Sequence, residues 1–334
     1  MTAGRLPGTE PQGTGPQGAG PQGAGPQGAG PQGAGLLDAV TRRFAADEML
    51  TPAGRPERLN VAAAGTLAEG TVGNPLLDAA CQAAGIRIGG RTAHADLDAL
   101  LADLDWDLAL IVSPHKGQAA QWCDRLAPRA AATGVVDTLV RAGGEVAGYN
   151  TNSHAWAAAA ARLMGSDVPA RILVVGSGAT ARSVTFAALR TFPRARVGVA
   201  ARSRAAAAAL VSDHAGSEYV PDPGGFAPDL VAHVTTAGEQ DDERPLDVPL
   251  DGALQPGTRV FDLTNRLSAL QRHALAAGCV VMSGNLMQLL TNTLRAALAG
   301  AGQRPADRPG RGPVSGHLDR RHDHPLRSIW IQDP

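Results

Sequence analysis

Arg171-Ile-Leu-Val-Val-Gly-Ser-Gly-Ala-Thr-Ala-Arg182 passes from a continuous apolar run through two spaced glycines into a helix-compatible stretch. Four consecutive branched apolar residues, Ile172 to Val175, suit a strand buried on both faces. Gly176 allows the tight turn that must follow. Gly178 leaves room for a pyrophosphate against the backbone, and Ala181 is small enough for close helix–strand packing. A helix starting here aims the unpaired N–H groups of Ser177, Ala179 and Thr180 and a partial positive charge at phosphate. A second strand, Val197 to Ala201, supplies the context that separates this motif from a chance glycine-rich turn. The segment predicts the first strand–turn–helix–strand of a dinucleotide-binding fold.

The end of that second strand discriminates between cofactors. An acidic residue there holds the ribose 2′-hydroxyl of NAD. This chain has Ala201-Arg202-Ser203-Arg204, and no carboxylate before Asp213. Arg202 and Arg204, with Ser203 between them, would pair with a 2′-phosphate through charge-assisted hydrogen bonds. The reading favours NADP(H).

Downstream, Leu230–Val234, Thr258–Leu263 and Cys279–Met282 read as further strands, and a last helix is expected near Asn285–Leu298. Thr235 and Thr236 follow a strand end, where such folds place ligands. Upstream, a helix is expected over Leu36–Met49, a strand over Leu59–Ala63 and a helix over Asn74–Ala84, stopped by Gly85. Leu108–Val112 is a second buried strand, closed by Ser113-Pro114, with Lys116 at its tip. Val136–Arg141 and Val146–Tyr149 flank Gly143-Gly144 as a hairpin. An Ala-rich helix follows over Ser153–Met164. The expected class is therefore α/β. It comprises an N-terminal substrate domain, residues 36–150, and an NADP-binding Rossmann domain, residues 151–284, with a helix over 285–300 rejoining the first.

The ends have another character. Pro11–Gly35 is five pentapeptides, PQGTG and then four of PQGAG. Their period of five excludes collagen, which needs glycine at every third position. Residues 1–35 and 303–334 read as disordered, because so little apolar surface cannot offset chain entropy. His317, His322 and His324 in the second tail read as solvated. Cys81, Cys123 and Cys279 lack metal-site or disulfide spacing, and no metal is expected. The 334 residues carry a net charge of −1. No basic stripe points to nucleic acid, and no apolar run reaches membrane-spanning length. The expected setting is a soluble cytoplasmic protein, monomer or homodimer, acting on a small molecule.

Taken in order, Ile111-Val-Ser-Pro-His-Lys116, Gly134-Val-Val-Asp-Thr138, Gly148-Tyr-Asn-Thr-Asn152, the Gly176 turn, Ala201–Arg204, Asp229–Thr236 and Ser283-Gly-Asn-Leu-Met287 resemble the shikimate dehydrogenase family. The resemblance spans residues 59 to 300 and looks most like a divergent branch. It implies reversible hydride transfer between NADP(H) and a ring hydroxyl of shikimate, with cofactor contacts extending to Gly284. It makes Lys116 the catalytic lysine. Several positions depart from the family pattern. The family's catalytic aspartate falls on Asn152 and its substrate-binding asparagine on Asp137. Its substrate-binding glutamine falls on Thr291, with Gln288 one turn earlier. Its carboxylate-binding serines fall on Thr71 and Gly73, and a tyrosine expected after Asp262 is replaced by Asn265. One reading is an exchange: Asp137 partners Lys116 while Asn152 contacts substrate. Asp137 reads equally as a turn or cap residue, and Asn150, a candidate substrate contact, also reads with Thr151 as fixing the entry to the Ala-rich helix. The alternatives are a non-catalytic NADP(H) binder and a dehydrogenase for a quinate-like or amino-substituted substrate.

Overall fold

The computed structural model describes residues 31–48, 58–142, 144–236 and 248–300. Its N-terminal half is a mixed sheet of six strands. These are Leu59–Ala64 (β1), Ile88–His94 (β2), Leu108–Ile111 (β3), Arg125–Leu126 (β4), Thr138–Ala142 (β5) and Glu145–Tyr149 (β6). Their spatial order is β2-β1-β3-β5-β6-β4. β1 runs parallel to β2 and β3, whereas β5 is antiparallel to β3 and β6, as a hairpin requires. Helices Pro31–Glu48 (α1), Ala68–Val72 (α2), Pro75–Ala83 (α3), Leu97–Ala102 (α4), Lys116–Ala119 (α5) and Pro128–Thr133 (α6) belong to this half.

Thr151–Met164 (α7) leads into the second sheet. Arg171–Val175 (β7), Arg196–Ala200 (β8), Ser217–Tyr219 (β9), Leu230–His233 (β10), Arg259–Asp262 (β11) and Val280–Ser283 (β12) are all parallel, in the order β12-β11-β10-β7-β8-β9. This is the doubly wound order of a Rossmann sheet, with its switch point between β7 and β10. Ala179–Thr191 (α8), Arg204–Asp213 (α9), Pro223–Phe226 (α10) and Ala269–Ala276 (α11) pack on it. Asn285–Gly300 (α12) returns to the first half and packs on α1, α3 and α7.

The expected strands recur within a residue or two, and two differences stand out. α1 begins at Pro31, so the last PQGAG copy is its first turn, where a proline lacking its N–H is tolerated. The rest of the repeat leader and the 303–334 tail lie outside the described residues. β2 is absent from the sequence-based expectation, because Ile-Gly-Gly-Arg-Thr-Ala-His shows no apolar run. It is an edge strand of intermediate to exposed residues. A Cβ at Gly89 would approach the Asn60 Oδ1 atom of β1 to 3.0 Å, which accounts for glycine there.

Few aromatic residues are available, and two of them, Phe44 and Tyr149, hold α1 in place. Phe44 is fully buried against Tyr149 and meets the His154 ring edge-on at 5.0 Å. Glu48 accepts from the Arg129 backbone N–H at 3.0 Å and lies 3.2 Å from the Arg129 Nε atom. His154 Nε2 lies 2.9 Å from a Glu48 oxygen. Burial pushes the His154 imidazole below its ordinary value of 6.5; Glu48 opposes this and Arg129 adds to it. His214 is displaced in the same direction, chiefly by burial and then by Arg182.

A histidine with a depressed folded-state pKa contributes stability that is complete above the unfolded value and is lost as pH falls. Thermal unfolding should therefore shift to lower temperature as pH drops from about 7 to about 5.5, the range in which an unfolded histidine gains its proton. His154→Gln should flatten that slope, as followed by circular dichroism. An unchanged slope would assign the acid sensitivity elsewhere.

Candidate active site

The strand ends at the switch point face the N-terminal half across a cleft of about 950 Å³. Its Rossmann wall carries Gly176 to Thr180 beyond β7, Ala201 to Ser203 beyond β8, Val234 to Thr236 beyond β10, and Leu263 beyond β11. The opposite wall carries Thr66, Leu67 and Thr71 from the β1–α2 region and Val112, Ser113 and Lys116 from beyond β3. Both sheets thus contribute the C-terminal ends of parallel strands.

Local sequence explains the Rossmann wall. Gly176 has φ +135°, and a Cβ there would sit 3.3 Å from the Val234 carbonyl oxygen and from the Thr235 methyl. Gly178 is the N-cap residue of α8 and gives it no side-chain cap, while Asn150, Ser203 and Ser268 cap α7, α9 and α11. The first turn of α8 therefore opens on the cleft with backbone N–H groups directed at any anion bound there. A Cβ on Gly178 would point into open space, so the turn leaves room for a ligand. Ala181 is fully buried in the packing role expected of it. These features fit a dinucleotide pyrophosphate.

The expected cofactor contacts separate. Ser177, Ala179, Thr180, Arg202, Ser203, Thr235 and Thr236 line the cleft. Ser203 also caps α9, accepting from Ala206 N–H at 3.2 Å. Arg204 lies over the Tyr219 ring at 5.7 Å and does not line the cleft. Gly284 is pressed against the Leu263 carbonyl, which a Cβ would overlap.

On the opposite wall, Thr71 lines the cleft and its hydroxyl donates to the Leu67 carbonyl at 2.7 Å. Gly73 ends α2 and lies outside the lining. Thr66 and Leu67 are missing from the sequence-based expectation; their position just beyond β1 is the signal that marks them. Lys116 opens α5, and its carbonyl accepts from Val136 N–H at 2.9 Å, fixing it beside the segment that leads into β5.

Asp137 lies one residue along that segment. It is completely buried. One carboxylate oxygen accepts from the Thr138 hydroxyl at 2.8 Å, the Thr151 hydroxyl at 2.6 Å and Thr151 N–H at 3.2 Å. The other accepts from Asn152 N–H at 2.7 Å. The carboxylate is the anion at the N-terminus of α7, where the helix dipole favours it. Arg295 from α12 backs it. That side chain is 7 % exposed and donates to the Thr138 hydroxyl at 3.1 Å and the Asp137 carbonyl at 3.4 Å. Burial lowers the Arg295 pKa and the Asp137 charge raises it back in part. Asp137, expected as the partner of Lys116, is not among the cleft-lining residues, and its carboxylate caps the N-terminus of α7.

Asn150, Asn152 and Thr291 are buried and are not among the cleft-lining residues. Asn150 is buried, donates to the Thr133 hydroxyl and the Ser183 hydroxyl at 2.9 Å each, and caps α7. It clasps the two halves together. Asn152 is largely buried, and its side-chain amide oxygen Oδ1 accepts from the Thr291 hydroxyl of α12 at 3.5 Å. Gln288 is half-buried one turn earlier.

A buried polar chain beneath the Rossmann wall has no counterpart in the sequence-based expectation. The His233 Nδ1 atom is 2.9 Å from an Asp262 oxygen, and Nε2 is 3.0 Å from the Thr235 hydroxyl. Asp262 also accepts from the Ser268 hydroxyl at 2.6 Å and the Gln271 amide at 3.0 Å. Burial alone would raise the Asp262 pKa, but the bonds from His233, Ser268 and Gln271 outweigh it and hold the carboxyl below its ordinary value. Among the described residues, no cluster of three His, Cys, Asp or Glu could hold a metal ion. No described helix is long and apolar enough to cross a membrane.

A mixed sheet and a doubly wound parallel sheet meeting at a cleft that fits a dinucleotide define a two-domain α/β architecture. No family model matches the chain. The shikimate dehydrogenase (NADP(+)) of Alkalilimnicola ehrlichii is 30 % identical over 212 residues, covering 60 % of this chain and 75 % of the relative. The chain belongs to the shikimate dehydrogenase family. Among solved structures, shikimate 5-dehydrogenase from Thermus thermophilus, in complex with NADP(H) and shikimate, superposes with a TM-score of 0.61 at 24 % identity, covering 73 % of this chain and 98 % of that one. Quinate dehydrogenase from Corynebacterium glutamicum, in complex with NAD, gives 0.62 at 20 % identity, covering 72 % and 93 %.

Arg295 and Asp137 are buried opposite charges that meet through the Thr138 hydroxyl and the Asp137 backbone carbonyl, and removing the donor from such buried polar partners costs about 1–3 kcal/mol. Arg295→Met should lower the free energy of unfolding by that order in urea titration. Adding Asp137→Asn to it should recover part of the loss. Additive losses in the double variant would show that the two charges do not compensate each other.

Proposed function

We propose that this chain is an NADP(H)-dependent oxidoreductase acting on shikimate or a related cyclic polyhydroxy acid. The observation that carries the reading is the shared cleft, with Lys116 on one wall and the uncapped α8 turn on the other. The relatives' NADP(+) dependence and the cleft-lining Arg202 support the choice of cofactor.

The turn from Gly176 to Thr180 holds the pyrophosphate by backbone N–H groups. Arg202, with Ser203 beside it, pairs with the 2′-phosphate. The bound nicotinamide accepts or supplies the hydride. Lys116 hydrogen-bonds the reacting oxygen, taking the hydroxyl proton during oxidation and returning it during reduction. Thr66 and Thr71 offer hydroxyls to a polyhydroxylated ring. Asp137 acts through position: it fixes the N-terminus of α7 next to the strand end that carries Lys116.

Lys116→Ala should reduce kcat by about 10²–10⁴-fold, with NADPH affinity within twofold of the parent. Arg202→Ala should weaken NADPH binding by about tenfold, one charge-assisted bond, while leaving NADH binding unchanged. The first assay follows NADPH formation from NADP with shikimate and then quinate. Turnover abolished in Lys116→Ala supports the reading. NADPH binding without turnover on either acid favours the second reading, a non-catalytic binder, for which the missing carboxylate at Asn152 is the observation.

A further inference from the structure

Thr66 and Thr71 both line the N-terminal wall of the cleft, and each grips one carbonyl in the same way. Thr66 donates its N–H, at 3.1 Å, and its hydroxyl, at 3.2 Å, to the Ser113 carbonyl. Thr71 donates its N–H at 3.0 Å and its hydroxyl at 2.7 Å to the Leu67 carbonyl. Two donors from one residue on one acceptor fix the side-chain rotamer as well as the hydroxyl proton. A hydroxyl has one proton and two lone pairs. A ligand on this wall therefore meets both threonines as acceptors.

Acceptors suit the O–H groups of a ring and oppose a carboxylate, which has only lone pairs to offer. A carboxylate that loses its water without replacement donors is strongly destabilised. The described lining offers it few. Its cationic side chains are Lys116 and Arg202, which the proposed reaction places on the reacting oxygen and the 2′-phosphate. The Ala68 N–H is spent on the Gly65 carbonyl at 3.1 Å. Ser113 adds one neutral hydroxyl, a single donor against the about four acceptor positions of a carboxylate. Leu67, in sequence between the threonines, lines the cleft and is 47 % exposed. An apolar side chain there packs on the C–H face of a ring, and it would take water from an ion without replacing it.

We propose that the N-terminal wall selects the hydroxyls of a neutral ring edge: Thr66 and Thr71 accept from them, Leu67 covers the C–H face, and an acid group is not read. The substrate class is a cyclic polyol whose carboxylate, where it has one, is dispensable. This rests on the oxidoreductase reading above and narrows its substrate.

Shikimate and its methyl ester carry the same ring hydroxyls and differ in charge. Binding of each to the full-length protein is measured by calorimetry in the presence of NADPH. The ester should bind within about threefold of the acid. A wall that paired the carboxylate would instead lose about tenfold or more on esterification, the scale of a hydrogen bond to a charged group. Thr71→Val should weaken both ligands by the same factor, about tenfold, and Thr71→Ser, which keeps the hydroxyl, should restore both. Leu67→Arg, which puts a cation on the wall and keeps both threonines, should shift the preference toward the acid by about tenfold. An acid that binds the parent about tenfold tighter than its ester overturns the proposal, as does a ring that binds in neither form. A Thr71→Val loss confined to the acid overturns the acceptor role, and an unchanged preference in Leu67→Arg overturns the place of Leu67 against the ligand. Should Thr71→Val fail to fold, the acid and ester on the parent decide alone. Turnover is read separately: both ligands bound and neither oxidised by NADP would sink the enzyme reading and leave the recognition standing.

Discussion

The buried carboxylate of Asp137 is the point at which the molecule's separate parts are joined. It receives the first two backbone N–H groups of α7, the helix that leaves the N-terminal sheet for the Rossmann sheet. Its own backbone bonds the strand ends on either side: Ile111 N–H donates to its carbonyl, and its N–H donates to the Tyr149 carbonyl. Arg295 brings α12 to the same place from the far end of the chain. A full negative charge in such a site is stable only because two helix-terminal N–H groups, two hydroxyls and a buried cation surround it. The geometry of the wall that presents Lys116 follows from this arrangement.

This anchor explains which parts of the site could be read in advance. The phosphate turn is contiguous, and each of its residues does its work locally through backbone freedom, small volume or a helix end. A sequence displays such features directly. Gly176, Gly178 and Ala181 were therefore legible, as were the buried strands Arg171–Val175 and Leu108–Ile111 with their unbroken apolar runs. For Asp137 the sequence left a proton-transfer partner and a cap equally open, because the partners that define its surroundings lie 14 and 158 residues away. Viewed without them, a carboxylate near a lysine suggests a proton-transfer pair. Viewed with them, it is the cap of one helix and the counter-charge of another. The same holds for Asn150, whose bonds to Thr133 and Ser183 tie the two halves together across a junction that no local pattern marks.

Edge elements were lost for a different reason. β2 buries little and carries two glycines because Asn60 approaches it closely, so it has neither the alternation nor the apolar run of a core strand. Conversely, the last PQGAG copy reads with its repeats, although the helix expected from Leu36 can extend through it back to a proline. Composition describes a segment's average tendency, and a neighbouring element with an apolar face can override it at the boundary.

The two walls of the cleft apply one physical rule to different ends. On each, a carboxylate buried behind the surface is neutralised by directed donors and leaves a polar group facing the ligand. Behind the N-terminal wall the donors are the α7 terminus and the Thr138 and Thr151 hydroxyls, with Arg295 as the counter-charge, and the group presented is Lys116. Behind the Rossmann wall they are His233, Ser268 and Gln271, and the group presented is the Thr235 hydroxyl. Rigidity in both places comes from saturating the buried acceptor, since a carboxylate with all its partners in place has no alternative arrangement of comparable energy. The departures at Asp137 and Asn152 therefore need not mean a decayed site. A carboxylate added at position 137 comes with a complete set of donors around it, including an arginine from the last helix, and such an enclosure is the mark of a charge that the fold is built to hold.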